Sequence, residues 1–465
     1  MTRPRERRSA VARQGWVLGA ALAVALGGAC YSRPLEPSDS PPVSRPPRPR
    51  AEPTPDPLPT EIGPPRPVAG EGPLVRIALR VADGTEALGA TGTWRLLDAR
   101  GGVLVRAAAH EAWMLERDGA RLRAVGRDGT ATPWLGGPLS LAVDDPRTFV
   151  RVAGKPYRGA LDLVPTDSGI LAVNVLAMED YLRGVVPLEI GARAERERAA
   201  VEAQAVAARS YTVTRVLLAR AGNGRSGHFD LVASVADQVY GGRDAELPVA
   251  DEAVRTTANL VLLHEGRVVT APFSSTCGGE TAAAEEVWRS DGEPHLQRVS
   301  DRIPGSDRYY CDIAPRFAWT RVLSGTELDA AVQRYLAAYQ SVPSGGPGRV
   351  RDLAVDGRTP SGRVANLEIR TDKGTFRVRG NDARSVLRAP GGELLNSAYF
   401  SVTTESSAGR LTRAVIRGNG YGHGVGMCQW GAIGRARAGQ DVRTILRTYY
   451  RGTTVGPIPA GLLTP

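Results

Sequence analysis

The sequence predicts an α+β protein in which a small β-rich region precedes a larger body of mixed strands and helices. Two patterns predict it. Short alternating apolar runs at 75–81, 93–97, 103–107, 122–125 and 139–143 are separated by Asp-Gly and Gly-Gly turns, as in small antiparallel sheets. Beyond about Asp144, strand-like runs at 149–153 and 170–175 lead to an Ala- and Glu-rich stretch. There Val201, Ala205, Ala208, Thr212 and Val216 recur at three- and four-residue spacing, so a helix with one smooth face against a sheet is expected.

The chain divides into a leader (1–30), a Pro-rich linker (31–73), the β-rich region (74–145) and the body (146–460). Arg3, Arg5, Arg7 and Arg8 precede an apolar run at 16–29, the charged and apolar parts of a secretory signal. The run is shorter than the roughly 20 residues of a membrane span. It ends Leu26-Gly27-Gly28-Ala29-Cys30, resembling a bacterial lipobox, in which Cys30 is the acylated residue and the membrane anchor. Gly27 stands where that pattern prefers an aliphatic residue, so simple cleavage is the alternative. The linker holds few large apolar residues and is expected to be an extended tether. Leader, tether and body together suggest an exported protein of the periplasm or cell envelope.

The formal charge of +10 is almost all arginine, with Lys155 and Lys373 the only lysines, and it is spread along the chain. No nucleic-acid motif accompanies it, so no nucleic-acid partner is expected; a mildly basic surface does suit an anionic polymer such as cell wall. The cysteines at 30, 277, 311 and 428 contain no C-x-x-C pair, which argues against a closed zinc site. In an oxidising compartment Cys277 and Cys311 are expected to form a disulfide, with Cys428 as the competing partner. The glycine run at 418–426 lacks the strand–helix–strand setting of a dinucleotide loop, and no cofactor is expected.

The chemistry is concentrated at 173–211. Val185-Val186-Pro187-Leu188-Glu189 precedes a helix containing Ala203-Gln204-Ala205-Val206-Ala207-Ala208-Arg209-Ser210-Tyr211, so Glu189 is expected in the turn before that helix. Alone, such a Glu is a solvated residue or a complement to the helix dipole. Three further blocks follow: Gln238-Val239-Tyr240-Gly241-Gly242; Ser274-Ser275-Thr276-Cys277-Gly278-Gly279-Glu280-Thr281 with Glu285-Glu286-Val287-Trp288; and Gly418-Asn419-Gly420-Tyr421-Gly422-His423-Gly424-Val425-Gly426-Met427-Cys428-Gln429-Trp430-Gly431-Ala432.

These four blocks resemble those of the SpoIID/LytB family, over roughly 150–454. The resemblance implies that Glu189 is the catalytic acid of a lytic transglycosylase acting on peptidoglycan glycan strands. It further implies substrate contacts from Gln204, Arg209, Tyr240, Ser275, His423 and Gln429, although His423 also fits a role of pinning its loop. Such an enzyme works with one carboxyl, which needs a raised pKa; Val185, Val186, Pro187 and Leu188 supply apolar walls, and Arg209 would oppose the rise. Some sporulation members bind zinc around the second block, but here Leu231, Ala236 and Asp237 take the places where ligands are sought, leaving His228, so no metal is expected. The family's other branch implies a non-catalytic alternative, a wall-binding enhancer of a cell-wall amidase.

Overall fold

The computed structural model describes residues 72–222 and 227–463; the leader with Cys30, and the linker through residue 71, lie outside the described residues. The fold is α+β. Gly169–Ala177 lies inside a seven-stranded sheet of order Leu231–Val232, Leu74–Ala82, Gly169–Ala177, Ala160–Thr166, Leu139–Ala142, Trp94–Leu97 and Val103–Ala107. Its side chains alternate between two covered faces. Ile170, Ala172 and Leu176 join the main core, while Leu171 and Val173 pack with Ala78 and Val164 on the other side.

A six-stranded sheet of order Lys155–Tyr157, Val150–Val152, Thr85–Ala90, Ala112–Asp118, Arg121–Val125 and Leu135–Gly136 packs against the same core. Both sheets cross the boundary expected between 145 and 146: Leu74–Ala82 pairs with Gly169–Ala177, and Thr85–Ala90 with Val150–Val152. Local alternation shows where strands are but not which distant strand each one pairs with, and here the partners lie on both sides of the boundary.

Helix α1 (Met178–Ile190) begins directly after Gly169–Ala177, and helix α2 (Arg198–Arg220) follows a short 3₁₀ turn. This corrects the position of Glu189, which occupies the last turn of α1 and not a turn before α2. Two valines and a proline favour a strand or turn, yet Val185, Val186 and Pro187 are buried within the helix, so packing overrides propensity. α1 stops at Gly191, whose φ is 78° and whose amide donates to the Pro187 carbonyl at 2.9 Å.

α2 is enclosed more completely than a one-faced helix, with every residue from Ala203 to Ser210 buried. Alanines let α1, helix α3 (Pro248–Thr256) and the C-terminal helices Gln429–Arg437 and Val442–Tyr449 all pack closely on it. After α3 come the strand Leu260–His264 and the short strands Arg267–Val268 and Phe273–Ser274.

Residues 318–419 build a lobe around a second core that includes Leu328, Leu353, Leu367, Ile369 and Ile416. Val350–Arg358, Val364–Thr371 and Gly374–Arg379 form a three-stranded meander in it. The helix Gly325–Tyr335 starts with a capping box between Ser324 and Glu327. The lobe's first and last strands, Ala318–Ser324 and Arg410–Asn419, pair so that Ala318 faces Asn419.

One close approach ties α1 to the second sequence block. A Cβ on Gly184 would lie 2.5 Å from the Tyr240 ring, and the Gly184 carbonyl accepts from the Gly241 amide at 3.1 Å. Gly184→Ala is expected to lower stability by about 1–3 kcal/mol, the usual cost of overpacking, measured as a reduced urea midpoint with an unchanged slope.

Candidate active site

Glu189 is half-buried at the end of α1, and its carboxylate is held by amides. The Val239 backbone N–H donates to Oε1 at 2.9 Å, and the Gln429 side-chain amide donates to the same carboxylate. Gln429 Nε2 also donates to Gln204 Oε1 at 3.2 Å. Burial pushes the Glu189 carboxyl above its usual range, and the Val239 and Gln429 donors draw it only part of the way back. Among the described residues, no carboxylate or guanidinium is among the groups that shift it.

The Val239 amide is aimed by a loop fastened at two points. Asp237 accepts from the Val232 amide at 2.8 Å and from Tyr211 Oη at 3.2 Å, and pairs with Arg215 at 3.0 Å. Gln238, buried beside it, accepts from Tyr181 Oη at 3.2 Å and Thr212 Oγ1 at 3.0 Å. Asp237 therefore serves the loop's geometry.

Gln429 is delivered by interleaving of the third and fourth blocks. Phe273–Ser274 pairs in parallel with Met427–Cys428, and Thr276 and Tyr421 exchange backbone hydrogen bonds at 3.2 and 2.8 Å. Gly426 permits this, because its φ is 70° and a Cβ there would fall 2.0 Å from the Pro272 carbonyl oxygen. The Ser275 carbonyl accepts from the Trp430 amide at 3.0 Å, so Ser275 sits beside the residue that follows Gln429.

The structure thus joins Glu189, Gln204 and Gln429, with Ser275 next to them. The other expected substrate contacts are corrected. Arg209 is fully buried and turned to Glu179, with bonds of 2.8 and 2.6 Å, and to the Leu260 carbonyl at 3.0 Å. It is therefore not a counter-charge to Glu189. Tyr240 is buried against Tyr181 and donates to Asn174 Oδ1 at 2.9 Å, which completes the bonds of a buried amide. His423 accepts at Nδ1 from the Val425 amide at 3.1 Å, hydrogen-bonds the Phe273 backbone and lies against Trp288. Burial and the nearby Arg384 push its pKa down to about 4, so it is a neutral pin for its loop.

Sequence reasoning passed over Val239, whose contribution is a backbone N–H, and Trp430, whose ring is half-buried with the Arg193 guanidinium 5.1 Å from its centroid. Trp430 had a signal in its place next to Gln429. Val239 had none.

The expected Cys277–Cys311 disulfide is also corrected: the two sulfurs lie 3.6 Å apart, unbonded, and the Cys277 amide donates to Cys428 Sγ at 3.2 Å. The two candidate pairings have become one cluster of three thiols, in which Asp301 is the fourth member.

A family profile described as Stage II sporulation protein matches residues 166–264, and one described as a domain of unknown function matches 307–426, the span of the second lobe and the start of the fourth block. An uncharacterized protein of Brachyspira hyodysenteriae is 32% identical over 302 residues, 65% of this chain and 73% of that protein. The Amidase enhancer of Bacillus subtilis is 28% identical over 59% of this chain and 40% of its own length. The Stage II sporulation protein D of Bacillus amyloliquefaciens is 29% identical over 61% of this chain and 75% of its own.

The burial of Glu189 has a thermodynamic consequence. Its folded pKa is raised above the unfolded value, so stability falls as pH rises between the two and stays lower above them. Glu189→Gln, which cannot ionise, is expected to melt above the parent at about pH 8, with the difference closing near pH 4, in thermal scans across that range.

Proposed function

Because the chain belongs to the SpoIID/LytB family, we propose that it is a peptidoglycan lytic transglycosylase with Glu189 as its single acid and base. The observation that carries this reading is the setting of that carboxyl: half-buried, raised in pKa and held by two amide donors, with no cation among the described groups that shift it. A protonated Glu189 gives its proton to the glycosidic oxygen as that bond breaks. The resulting carboxylate takes the proton of the muramoyl 6-hydroxyl as it attacks the anomeric carbon, closing a 1,6-anhydro ring. One proton leaves and one returns, and no water is consumed. A hydrolase places a second carboxylate for nucleophile or water, and among the described residues no carboxylate is among the groups that shift Glu189.

The amide donors have a complementary part. They stabilise the carboxylate produced in the first half-reaction, while burial favours the acid required at its start. This reading takes the protein to be exported, for which the basic, apolar leader ending at Cys30 supplies the signal, with a lipid anchor at Cys30.

A second reading rests on the Amidase enhancer relative: binding of glycan without cleavage, in support of a cell-wall amidase. Digestion of purified glycan strands, with and without stem peptides, separates the two. Anhydro-muramoyl ends detected by mass spectrometry support the enzyme. Their absence, together with faster release of stem peptides by an added amidase, supports the enhancer.

Glu189→Gln is expected to lower the rate of anhydro-product formation by at least about 10²–10⁴-fold while leaving the fold intact, checked by product yield and circular dichroism. Gln429→Ala removes a donor that lowers the Glu189 pKa, so the alkaline limb of the kcat/KM profile is expected to move to higher pH.

A further inference from the structure

Cys277, Asp301, Cys311 and Cys428 are buried and converge, with one ligand atom of each lying within 4.8 Å of all the others. They come from three separated segments: the loop after Phe273–Ser274, residues 301–311, and the residue that precedes the Gln429–Arg437 helix. The geometry points to a tetrahedral zinc site formed by three thiolates and one carboxylate. The assignment does not rest on the reaction proposed for Glu189.

Three observations carry it. The first is spacing. With zinc–sulfur bonds of about 2.3 Å, tetrahedral ligands have sulfur–sulfur edges of about 3.8 Å and sulfur–oxygen edges of about 3.5 Å. Cys277 and Cys311 are 3.6 Å apart, and Cys277 Sγ is 3.4 Å from Asp301 Oδ2. A disulfide would use two of these four groups; a metal uses all of them.

The second is the direction of the surrounding hydrogen bonds. Cys428 Sγ accepts from the amides of Cys277 at 3.2 Å and Gly431 at 3.3 Å, and the Gly279 backbone bonds Cys311. Amide donors turned toward sulfur are the bonds that metal-bound thiolates accept, and Cys428 sits as the cap of the nine-residue Gln429–Arg437 helix.

The third is the support of the carboxylate. Asp301 Oδ1 accepts from Tyr449 Oη at 2.6 Å and from Arg435 at 3.0 Å, which fixes the group and leaves Oδ2 facing the sulfurs. Ligand carboxylates are oriented in this manner by a second layer of donors. On binding, zinc displaces the three thiol protons to solvent. Three thiolates and a carboxylate exceed the metal's charge by two, and the buried Arg435 offsets one of these. The site clamps the helix that begins with Gln429, so its role is to hold that residue against Glu189.

The test uses the full chain with Cys30→Ala, in which the three clustered thiols are the only ones. Elemental analysis is expected to find one zinc per chain. Replacement by Co²⁺ should give the intense visible and near-ultraviolet bands of tetrahedral cobalt thiolate, and chelation should expose three thiols to a thiol reagent. Tyr449→Phe, which keeps every ligand, is expected to weaken Co²⁺ binding by about 10–100-fold. If Cys277→Ser or Cys428→Ala fails to fold, the Co²⁺ titration of the parent protein still decides. A metal-free protein that gives no cobalt thiolate bands overturns the proposal, as does a Cys277–Cys311 disulfide peptide in non-reducing maps of protein prepared with zinc present.

Discussion

An alanine-rich helix that neighbours can approach from all sides sets the geometry of this protein. Between Ala203 and Ser210 no side chain of α2 reaches solvent, and the polar ones among and just beyond them each fasten a different neighbour. Gln204 meets Gln429; Arg209 holds Glu179 of α1; Ser210 accepts from the Leu262 amide at 2.9 Å; Thr212 donates to Gln238. Burying such groups is costly unless each finds a partner, so the correct arrangement of four elements around α2 is strongly favoured over near alternatives. Two of those four fastenings, through Gln429 and Gln238, end at the carboxylate of Glu189.

Separation of charges follows from the same arrangement. Arg209 could have neutralised an acid in this region, but it is committed to Glu179 and to backbone carbonyls at the far side of α2. Glu189 is left with neutral donors, and burial, the larger influence, pushes its pKa up. The fourth block has a matching division of labour: His423, uncharged, secures the loop, and Gln429 faces the acid.

Much of this was legible in the sequence, and the failures have physical causes. The four blocks pointed to one site, and Glu189, Gln204 and Gln429 are found together. The helix of α2 follows from three- and four-residue spacing, and the strands before it from alternation. Arg209 and Tyr240 were misassigned because a charged or phenolic side chain in a motif reads the same whether it faces a ligand or completes a buried network. Glu189 was expected in a turn before α2, whereas Val185, Val186 and Pro187, poor helix formers, are buried within α1 and carry the helix on to Ile190. The cysteines were legible as alternative disulfide partners but not as one cluster with Asp301, since Cys311 and Cys428 are 34 and 151 positions from Cys277 and no local spacing encodes a joint meeting.

The second lobe leaves the rest of the protein by the door through which it came. Ala318 and Asn419 are paired neighbours, and Arg363 of the lobe reaches back to the carbonyls of Cys277 at 3.1 Å and Glu280 at 3.0 Å. A segment whose two ends touch can be lengthened, trimmed or exchanged during descent without displacing what lies before or after it. Exchange of the lobe would therefore alter the surface beside the acid while leaving the acid's own supports in place, and the contacts of Arg363 are among those such an exchange would sever.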